Sequence, residues 1–219
     1  MPEPTAYPVR FSVEYPDREL DRVSTLLRPF LAIPILIVLA SVFGPTVVGG
    51  DEASGPVWAA GGLLFAGPLL MILFRRKYPR WWYDWNLELL RFANRVVAYL
   101  ALMDDRYPST DERQSVALDI PYPDGERELN RWMPLVKWLL AIPHVLVLIV
   151  LSLGAVGAVI LAWFAILFTG RYPEPLFRFV EGVLMWHVRV VSYAVILLTD
   201  RYPPFSFTQE VEGLSPGGP

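Results

Sequence analysis

The sequence predicts an all-α integral membrane protein of two tandem repeats, each a short strand, a transmembrane helical hairpin and a long amphipathic interfacial helix. Composition is the first observation behind this prediction: 54% of the 219 residues are hydrophobic, 19% are charged, and the mean hydropathy is +0.38. Soluble domains are about 45–50% apolar with glycine counted, and about 25% charged. Long charge-free runs and motifs that occur twice are the other two observations.

Composition also excludes several classes of function. The chain has no cysteine, which excludes disulfides, thiolate metal sites and cysteine nucleophiles, and it has only two histidines. Its net charge of −3 argues against a nucleic-acid partner. We therefore expect no metal, no cofactor and no nucleic-acid binding.

Two apolar runs, 26–48 and 56–74, predict the first transmembrane hairpin. Each is close to the ~20 residues that cross ~30 Å of hydrocarbon as a helix. The linker between them carries Asp51 and Glu52 and no basic residue. This is typical of a loop outside the cytoplasm, because cytoplasmic loops are rich in lysine and arginine.

A charge-free block, 138–169, predicts the second hairpin. Gly154 and Gly157 punctuate it, so the predicted membrane helices are 134–153 and 157–170. The second helix is short for a crossing. It could thin the bilayer or form a re-entrant hairpin.

The same motifs flank both hairpins in the same order, which is the evidence for a repeat. The matched segments are Arg18–Arg22 with Arg127–Arg131, Leu31–Pro34 with Leu140–Pro143, Arg95–Tyr99 with Arg189–Tyr193, and Asp105–Pro108 with Asp200–Pro203. In this alignment Arg28 matches Lys137. We divide the chain into unit 1 (1–110), unit 2 (111–205) and a flexible tail (206–219).

A short stretch of alternating apolar and polar residues opens each unit, at 9–14 and at 116–120. Period two over five or six residues predicts a half-buried strand. The two strands could pair as a small cytoplasmic sheet. Such a ribbon would need support from helices, because it is marginally stable alone in water.

A third helix closes each unit, predicted over 81–103 and 176–198. Its polar residues recur every three or four positions and form one stripe on an otherwise apolar helix. If these helices are interfacial, all other basic residues fall on one side of the membrane; if they cross, the basic residues are divided. The positive-inside rule therefore favours a multi-pass protein with four crossings and both termini in the cytoplasm. A six-crossing arrangement stays open.

Four arginines on these stripes are the candidate binding residues: Arg91, Arg95, Arg178 and Arg189. They could form a polar seam or bind lipid headgroups, because guanidinium suits bidentate contact with phosphate. The alternative is a solvated stripe without a ligand. Pro34 and Pro143 lie at matched points of the first membrane helices. We interpret them as structural kinks, with a broken-helix binding site as the alternative.

The run Leu139–His144 and the closing run Thr199–Phe205 resemble bacterial membrane proteins known only as a domain of unknown function. Such proteins are frequent in actinobacteria and often occur as tandem units. Unit 1 departs from the pattern, with Ile35 where unit 2 has His144. The resemblance implies no activity, substrate, cofactor or catalytic residue.

The sequence contains no spacing typical of a phosphate loop, a nucleophile elbow or a metal site. We therefore expect a non-catalytic accessory or scaffolding subunit of a complex in the cytoplasmic (inner) membrane. Its expected partners are membrane lipids and either another membrane protein or further copies of itself. A membrane-shaping or lipid-organising hairpin protein and a small transporter or channel are the alternatives.

Overall fold

Helices dominate the computed structural model, which describes residues 7–43, 60–75, 77–110, 112, 114–123 and 129–207. In chain order the elements are β1 (Arg10–Val13), α1 (Arg22–Leu31), α2 (Ile33–Phe43), α3 (Ala60–Arg75), α4 (Arg80–Leu100), β2 (Val116–Asp119), α5 (Met133–Thr169) and α6 (Glu174–Ala194). Two helical stretches, Arg22–Ala40 and Met133–Thr169, are long and apolar enough to span a membrane. The predicted helical class with a small sheet is confirmed.

The two strands form one antiparallel ribbon, as predicted, with Arg10 opposite Asp119 and Val13 opposite Val116. Successive side chains of a strand point to opposite faces, so the alternating sequence gives the ribbon one apolar and one polar face. The apolar residues, such as Phe11, are buried, whereas the polar residues between them are exposed. The ribbon thus has one apolar face to bury and one polar face for solvent.

Two amphipathic helices cover the apolar face of the ribbon. α6 packs against β1 and α4 packs against β2. The Val13 N–H donates to Glu181 Oε1 at 2.8 Å, and Arg91 Nε donates to the Leu118 carbonyl at 3.0 Å. Each strand is therefore supported by the long helix of the other half of the chain. This meets the need of a two-stranded ribbon for helical support.

The long apolar helices lie on the far side of α4 and α6. α6 runs antiparallel beside α5: Trp186 lies against His144, and Phe179 is the nearest side chain to Gly154. In the same way α2 packs against α4 through Ile35 and Phe92. The result is three layers, with the ribbon, the amphipathic helices and the long apolar helices in that order.

The predicted second hairpin, 134–153 and 157–170, is wrong. α5 is one uninterrupted helix of 37 residues, about 55 Å long at 1.5 Å per residue. Its buried positions continue at helical spacing through Ala158, Ala162 and Ile166, which pack into the main core. A turn at Gly154 and Gly157 would have taken these side chains out of that contact. Glycine inside a helix costs only about 1 kcal/mol relative to alanine, which this packing can offset.

The predicted first hairpin is only partly visible. α1 and α2 are separated at Ala32, two residues before Pro34, and α3 corresponds to the second predicted helix, 56–74. The turn between α2 and α3 lies outside the described residues. α5 continues through Pro143 without interruption. The kinks predicted at Pro34 and Pro143 therefore stay predictions; the separation of α1 from α2 lies two residues before Pro34.

A third proline, Pro29, has a clear consequence for packing. Proline has no N–H, so the carbonyl four residues earlier, that of Thr25, has no partner within α1. Trp163 Nε1 from α5 donates to that carbonyl at 3.1 Å. The C-terminal part of α5 is thereby joined to α1.

Replacing Trp163 with phenylalanine is expected to lower the free energy of unfolding by about 1–2 kcal/mol. The ring volume is largely kept, but the buried Thr25 carbonyl loses its donor, and an unsatisfied buried carbonyl costs about that much. Thermal unfolding in mild detergent measures the effect. Trp132→Phe, at an exposed position, is the control and should change stability little. Equal effects of the two substitutions would contradict the assignment.

Both amphipathic helices end in the same way. α4 stops at Leu100 and α6 at Ala194, a few residues before the predicted ends at 103 and 198. Leu102 and Leu197 follow, both with φ of 63°. A left-handed residue at this position closes a helix, because the next N–H can turn back onto an earlier carbonyl. The predicted flexible tail, 206–219, lies outside the described residues except for 206 and 207, and Phe207 lies over Gly182 of α6.

Candidate functional site

Three charged side chains are almost completely buried. Lys137 is 0% exposed, Arg189 1% and Arg28 2%. Arg28 in the last turn of α1 and Lys137 near the start of α5 occupy matched positions of the repeat. Burying a charge is expensive unless it is paired and hydrogen-bonded, so each requires partners from elsewhere in the chain.

Lys137 finds its partners after α6. Its Nζ lies 2.6 Å from Asp200 Oδ1 and donates to the Thr199 carbonyl at 2.7 Å. The same ammonium lies 5.2 Å from the centre of the Tyr193 ring, within cation–π range. The start of α5 is thereby tied to the segment that follows α6.

Arg28 has the corresponding partners after α4. Its Nη2 lies 2.5 Å from Asp105 Oδ1, and its Nη1 donates to the carbonyls of Tyr99 at 2.9 Å and Asp104 at 2.8 Å. The guanidinium carbon lies 4.4 Å from the centre of the Tyr99 ring. A buried cation, an aromatic ring, a carboxylate and backbone carbonyls thus recur at matched positions.

The second carboxylate oxygen completes each cluster. Asp105 Oδ2 accepts from the Asp21 N–H at 2.9 Å, and Asp200 Oδ2 accepts from the Asn130 N–H at 2.5 Å. Each aspartate therefore bridges the buried cation and the residues that precede the apolar helix. We name these two clusters the Arg28–Asp105 latch and the Lys137–Asp200 latch.

Sequence reasoning missed both latches. The Asp-Arg-Tyr-Pro runs served there only as evidence of the repeat, which assigns no role to the aspartate. The available signal was that Arg28 matches Lys137 while Asp105 matches Asp200, so cations and carboxylates repeat together. The cation and the carboxylate of each pair lie too far apart in sequence for a local pattern to show that they are in contact.

Two of the four candidate arginines are buried against this chain's own backbone. Arg95 Nη1 donates to the carbonyls of Ser109 at 2.8 Å and Thr110 at 3.2 Å. Arg189 Nη1 donates to the Ser206 carbonyl at 2.9 Å. The contacts of Arg95 and Arg189 are thus with this chain, and a role in a polar seam or in headgroup binding stays a prediction for both. Backbone carbonyls outside a helix need hydrogen-bond donors. One guanidinium, with five N–H donors, can serve several of them.

The other two candidate arginines are more exposed. Arg91 lies 2.6 Å from Glu88 Oε1 and also donates to the ribbon. Arg178 lies 3.1 Å from Glu181 Oε2 and 3.7 Å from Glu174 Oε1. Exposed pairs of this kind contribute about 0–1 kcal/mol. Headgroup binding by Arg178 stays a prediction.

His144 lies in an aromatic cluster rather than in a ligand site. Trp186 Nε1 donates to His144 Nδ1 at 3.1 Å, and the Phe205 ring stacks on the imidazole with centroids 4.0 Å apart. The Tyr202 ring is 4.7 Å away. At the matched position Ile35 packs against apolar residues of α4. The imidazole thus fixes the segment after α6 against α5. Among the described residues no group of three or more histidine, aspartate or glutamate side chains could hold a metal ion.

A cleft of about 290 Å³ is lined by charged side chains, among them Asp17, Arg18 and Asp104, the neighbour of Asp105. Burial by itself would raise the pKa of Asp104. Hydrogen bonds from the Arg106 N–H and the Ser115 hydroxyl, together with the charge of Arg106, outweigh burial and lower the pKa below its usual value. Asp104 is therefore a charged anchor for this turn.

Asp104→Asn is expected to flatten the acid limb of the stability curve. Because the folded-state pKa is lowered, the stabilising contribution is present above the unfolded pKa of about 3.9 and is lost as the pH falls through the folded value. At pH 7 the variant should be about 1 kcal/mol less stable, and the difference should shrink below pH 4. Denaturant unfolding between pH 3 and pH 7 measures the stability difference at pH 7 and its decrease at low pH.

Asp84→Asn, at an exposed position on α4, is the matched control for this series. It should follow the wild-type curve. An Asp104→Asn curve that runs parallel to the wild type down to low pH would contradict the role of the charge.

A family model described as "Domain of unknown function (DUF4389)" matches residues 131–206. The matched segment contains α5, α6 and the segment after α6, and therefore the whole Lys137–Asp200 pair and Arg189. Comparisons with curated proteins and with solved structures find no match. The expected resemblance to a family of unknown function is thus supported for this part of the chain.

Proposed function

We propose that this protein is a non-catalytic integral membrane protein of a bacterial cytoplasmic membrane, built from two tandem units, and that it acts as an accessory or scaffolding subunit of a membrane complex. The exposed surface of α5 carries the proposal. All of its large exposed side chains are apolar: Leu135, Val136, Trp138, Leu139, Leu140, Ile142, Val145, Leu146, Val147, Ile149, Val150, Leu153, Val156, Ile160, Leu161, Phe164 and Phe168. No other described part of the chain covers them. So large an apolar patch indicates a lipid or protein contact surface.

The internal use of the repeated charges supports a structural role. Arg28, Lys137, Arg95 and Arg189 all bind carbonyls or carboxylates of this chain. Hydrogen bonds between buried charged groups and distant parts of the chain favour one arrangement of its helices. Such an arrangement provides a rigid scaffold with two outer surfaces, the exposed side of α5 and that of the ribbon.

Reciprocal contacts support the proposal of two units. The Tyr15 hydroxyl of unit 1 donates to the Tyr172 carbonyl of unit 2 at 2.6 Å, and the Tyr122 hydroxyl of unit 2 donates to the Tyr78 carbonyl of unit 1 at 2.5 Å. Tyr15 matches Tyr122 and Tyr78 matches Tyr172, because each is followed by proline at the same place in its unit. Each unit thus donates one tyrosine hydrogen bond to the other unit and accepts one in return.

No specific observation favours the two alternative functions. A membrane-shaping hairpin protein would use the second hairpin as a wedge, and α5 does not form that hairpin. A transporter would use Arg95 and Arg189 to line a pathway, and both bind backbone carbonyls instead. We retain the cytoplasmic location of both termini as part of the proposal.

Affinity purification from native membranes in mild detergent, followed by mass spectrometry and sizing, tests the proposal. The expected result is a stoichiometric partner protein in the membrane fraction. Ile149→Arg on α5 and Ala117→Arg on the ribbon, both at exposed positions, identify the surface that the partner uses. A solitary monomer would argue against a subunit role. A chain found in the soluble fraction would contradict the membrane location itself.

A further inference from the structure

We propose that the layer of α1, α2 and α5 docks flat into one leaflet of the bilayer, with the helix axes in the membrane plane. The ligand of this surface is therefore the acyl and headgroup region of a single leaflet. The inference rests on the proposed membrane location and replaces the expected crossings with a one-sided, monotopic attachment.

The order of the layers gives the molecule two opposite faces. On one side the ribbon exposes Arg10, Ser12, Glu14 and Asp119. On the other side α1, α5 and the part of α2 up to residue 40 expose apolar side chains. α4 and α6 lie between, with few exposed positions. A polar face opposite an apolar face is the arrangement of a protein that lies on a membrane.

The side-by-side packing argues against a crossing. β1 lies beside α6, since Val13 bonds to Glu181 and the Arg189 guanidinium is 5.6 Å from the Tyr7 ring centre. α6 in turn lies beside α5. If α5 crossed the hydrocarbon, β1 and α6 would be carried to the same depth. A charged side chain there costs about 2.5–3.5 kcal/mol or more, and the ribbon exposes several.

The length of α5 gives an independent argument. A helix of about 55 Å exceeds the ~30 Å of hydrocarbon. To fit its apolar length into a crossing, α5 would have to tilt by roughly 55°, beyond the 0–40° range of membrane helices. A helix that lies in the plane has no such limit.

The width of the exposed surface favours lipid over a second protein. The buried positions of α5 form one narrow stripe, and apolar side chains take up the rest of the helix circumference. Packing against one partner helix would cover only a stripe of about 100°. Exposed tryptophans also stand near the starts of α4 and α5, at Trp81, Trp85, Trp132 and Trp138. Tryptophan prefers the headgroup level, so these rings fit the rim of a docked face.

Spin-label depth measurements on the full chain test the proposal, and the absence of native cysteine makes single-site labelling direct. Leu139, Leu146, Leu153 and Ile160 are spaced seven residues apart on α5 and are 52–71% exposed. Each is replaced by cysteine, labelled with a nitroxide and reconstituted in vesicles of phosphatidylcholine and phosphatidylglycerol. Accessibility to oxygen and to a nickel chelate then reports the depth of each label.

Docking in the plane predicts nearly equal depths for the four labels. A crossing places successive labels about 10 Å apart along the membrane normal, so that the middle two are about 10 Å deeper than the outer two, and this result would overturn the proposal. Ser12→Cys and Ala117→Cys on the ribbon are the matched controls and should be fully accessible to the nickel chelate. Controls shielded from the chelate would also overturn it.

Two further outcomes are distinguishable. Labels that are shielded from both reagents, with dipolar broadening that disappears on mixing with unlabelled protein, would show that a second copy covers the face, which overturns the lipid assignment. Failure of the chain to associate with vesicles would overturn the proposed membrane location, not merely its orientation.

Discussion

Replacing Asp200 with alanine is expected to lower the free energy of unfolding by about 3–5 kcal/mol. The substitution leaves the Lys137 ammonium, which is fully buried, without its carboxylate at 2.6 Å, and it also removes the acceptor of the Asn130 N–H. Breaking a buried ion pair by removing one partner typically costs this much, because the remaining charge stays uncompensated. Thermal or denaturant unfolding in mild detergent measures the loss.

The double variant Lys137→Met with Asp200→Leu separates the charge from the packing. Apolar replacement of both partners of a buried pair is often close to neutral, so the double variant should recover most of the loss. Glu174→Ala, which affects an exposed pair with Arg178, should cost less than about 1 kcal/mol. If Asp200→Ala were no more harmful than Glu174→Ala, the Lys137–Asp200 latch would have no stabilising role.

Arg189→Met is expected to cost about 2–3 kcal/mol and to loosen the segment after α6. The buried guanidinium donates to the Ser206 carbonyl at 2.9 Å, and its loss leaves a carbonyl without that donor. Because Phe207 follows directly and packs over Gly182, its contact with α6 should weaken as well. Limited proteolysis should therefore cut near residues 203–207 earlier than in the wild type.

Arg178→Met on the same helix is the matched control, because the Arg178 side chain is itself 56% exposed. It should change stability by less than about 1 kcal/mol and leave the cleavage pattern unchanged. Arg95→Met should reproduce the Arg189 effect at the matched place, with loosening around Ser109. A wild-type cleavage pattern for Arg189→Met would show that the arginine does not hold this segment.

Local patterns were sufficient for the small elements of this fold. Period-two alternation predicted the strands, and the pairing of β1 with β2 is observed. The apolar segments of the chain were visible as long runs without charge, although the continuity of α5 was not. In each case the signal lies within one segment of the chain, where backbone periodicity and the burial of apolar side chains agree.

The path of α5 could not be read from local pattern. Two glycines in an apolar run are compatible with a turn and with a helix, because each costs the helix only about 1 kcal/mol. The outcome depended on whether Ala158 and Ala162 could pack into the core and Trp163 could reach the Thr25 carbonyl. Those contacts join residues more than a hundred positions apart.

The amino-acid sequence alone determined the apolar character of the chain, its strands, its amphipathic helices and the recurrence of its motifs, because these depend on residue type and short-range period. Only the tertiary structure decided that α5 is continuous, that Arg95 and Arg189 face inward, and that Lys137 pairs with Asp200. The physical reason is that a buried charge needs a partner, and the partner comes from a residue distant in sequence. Only the folded chain shows which residue that is.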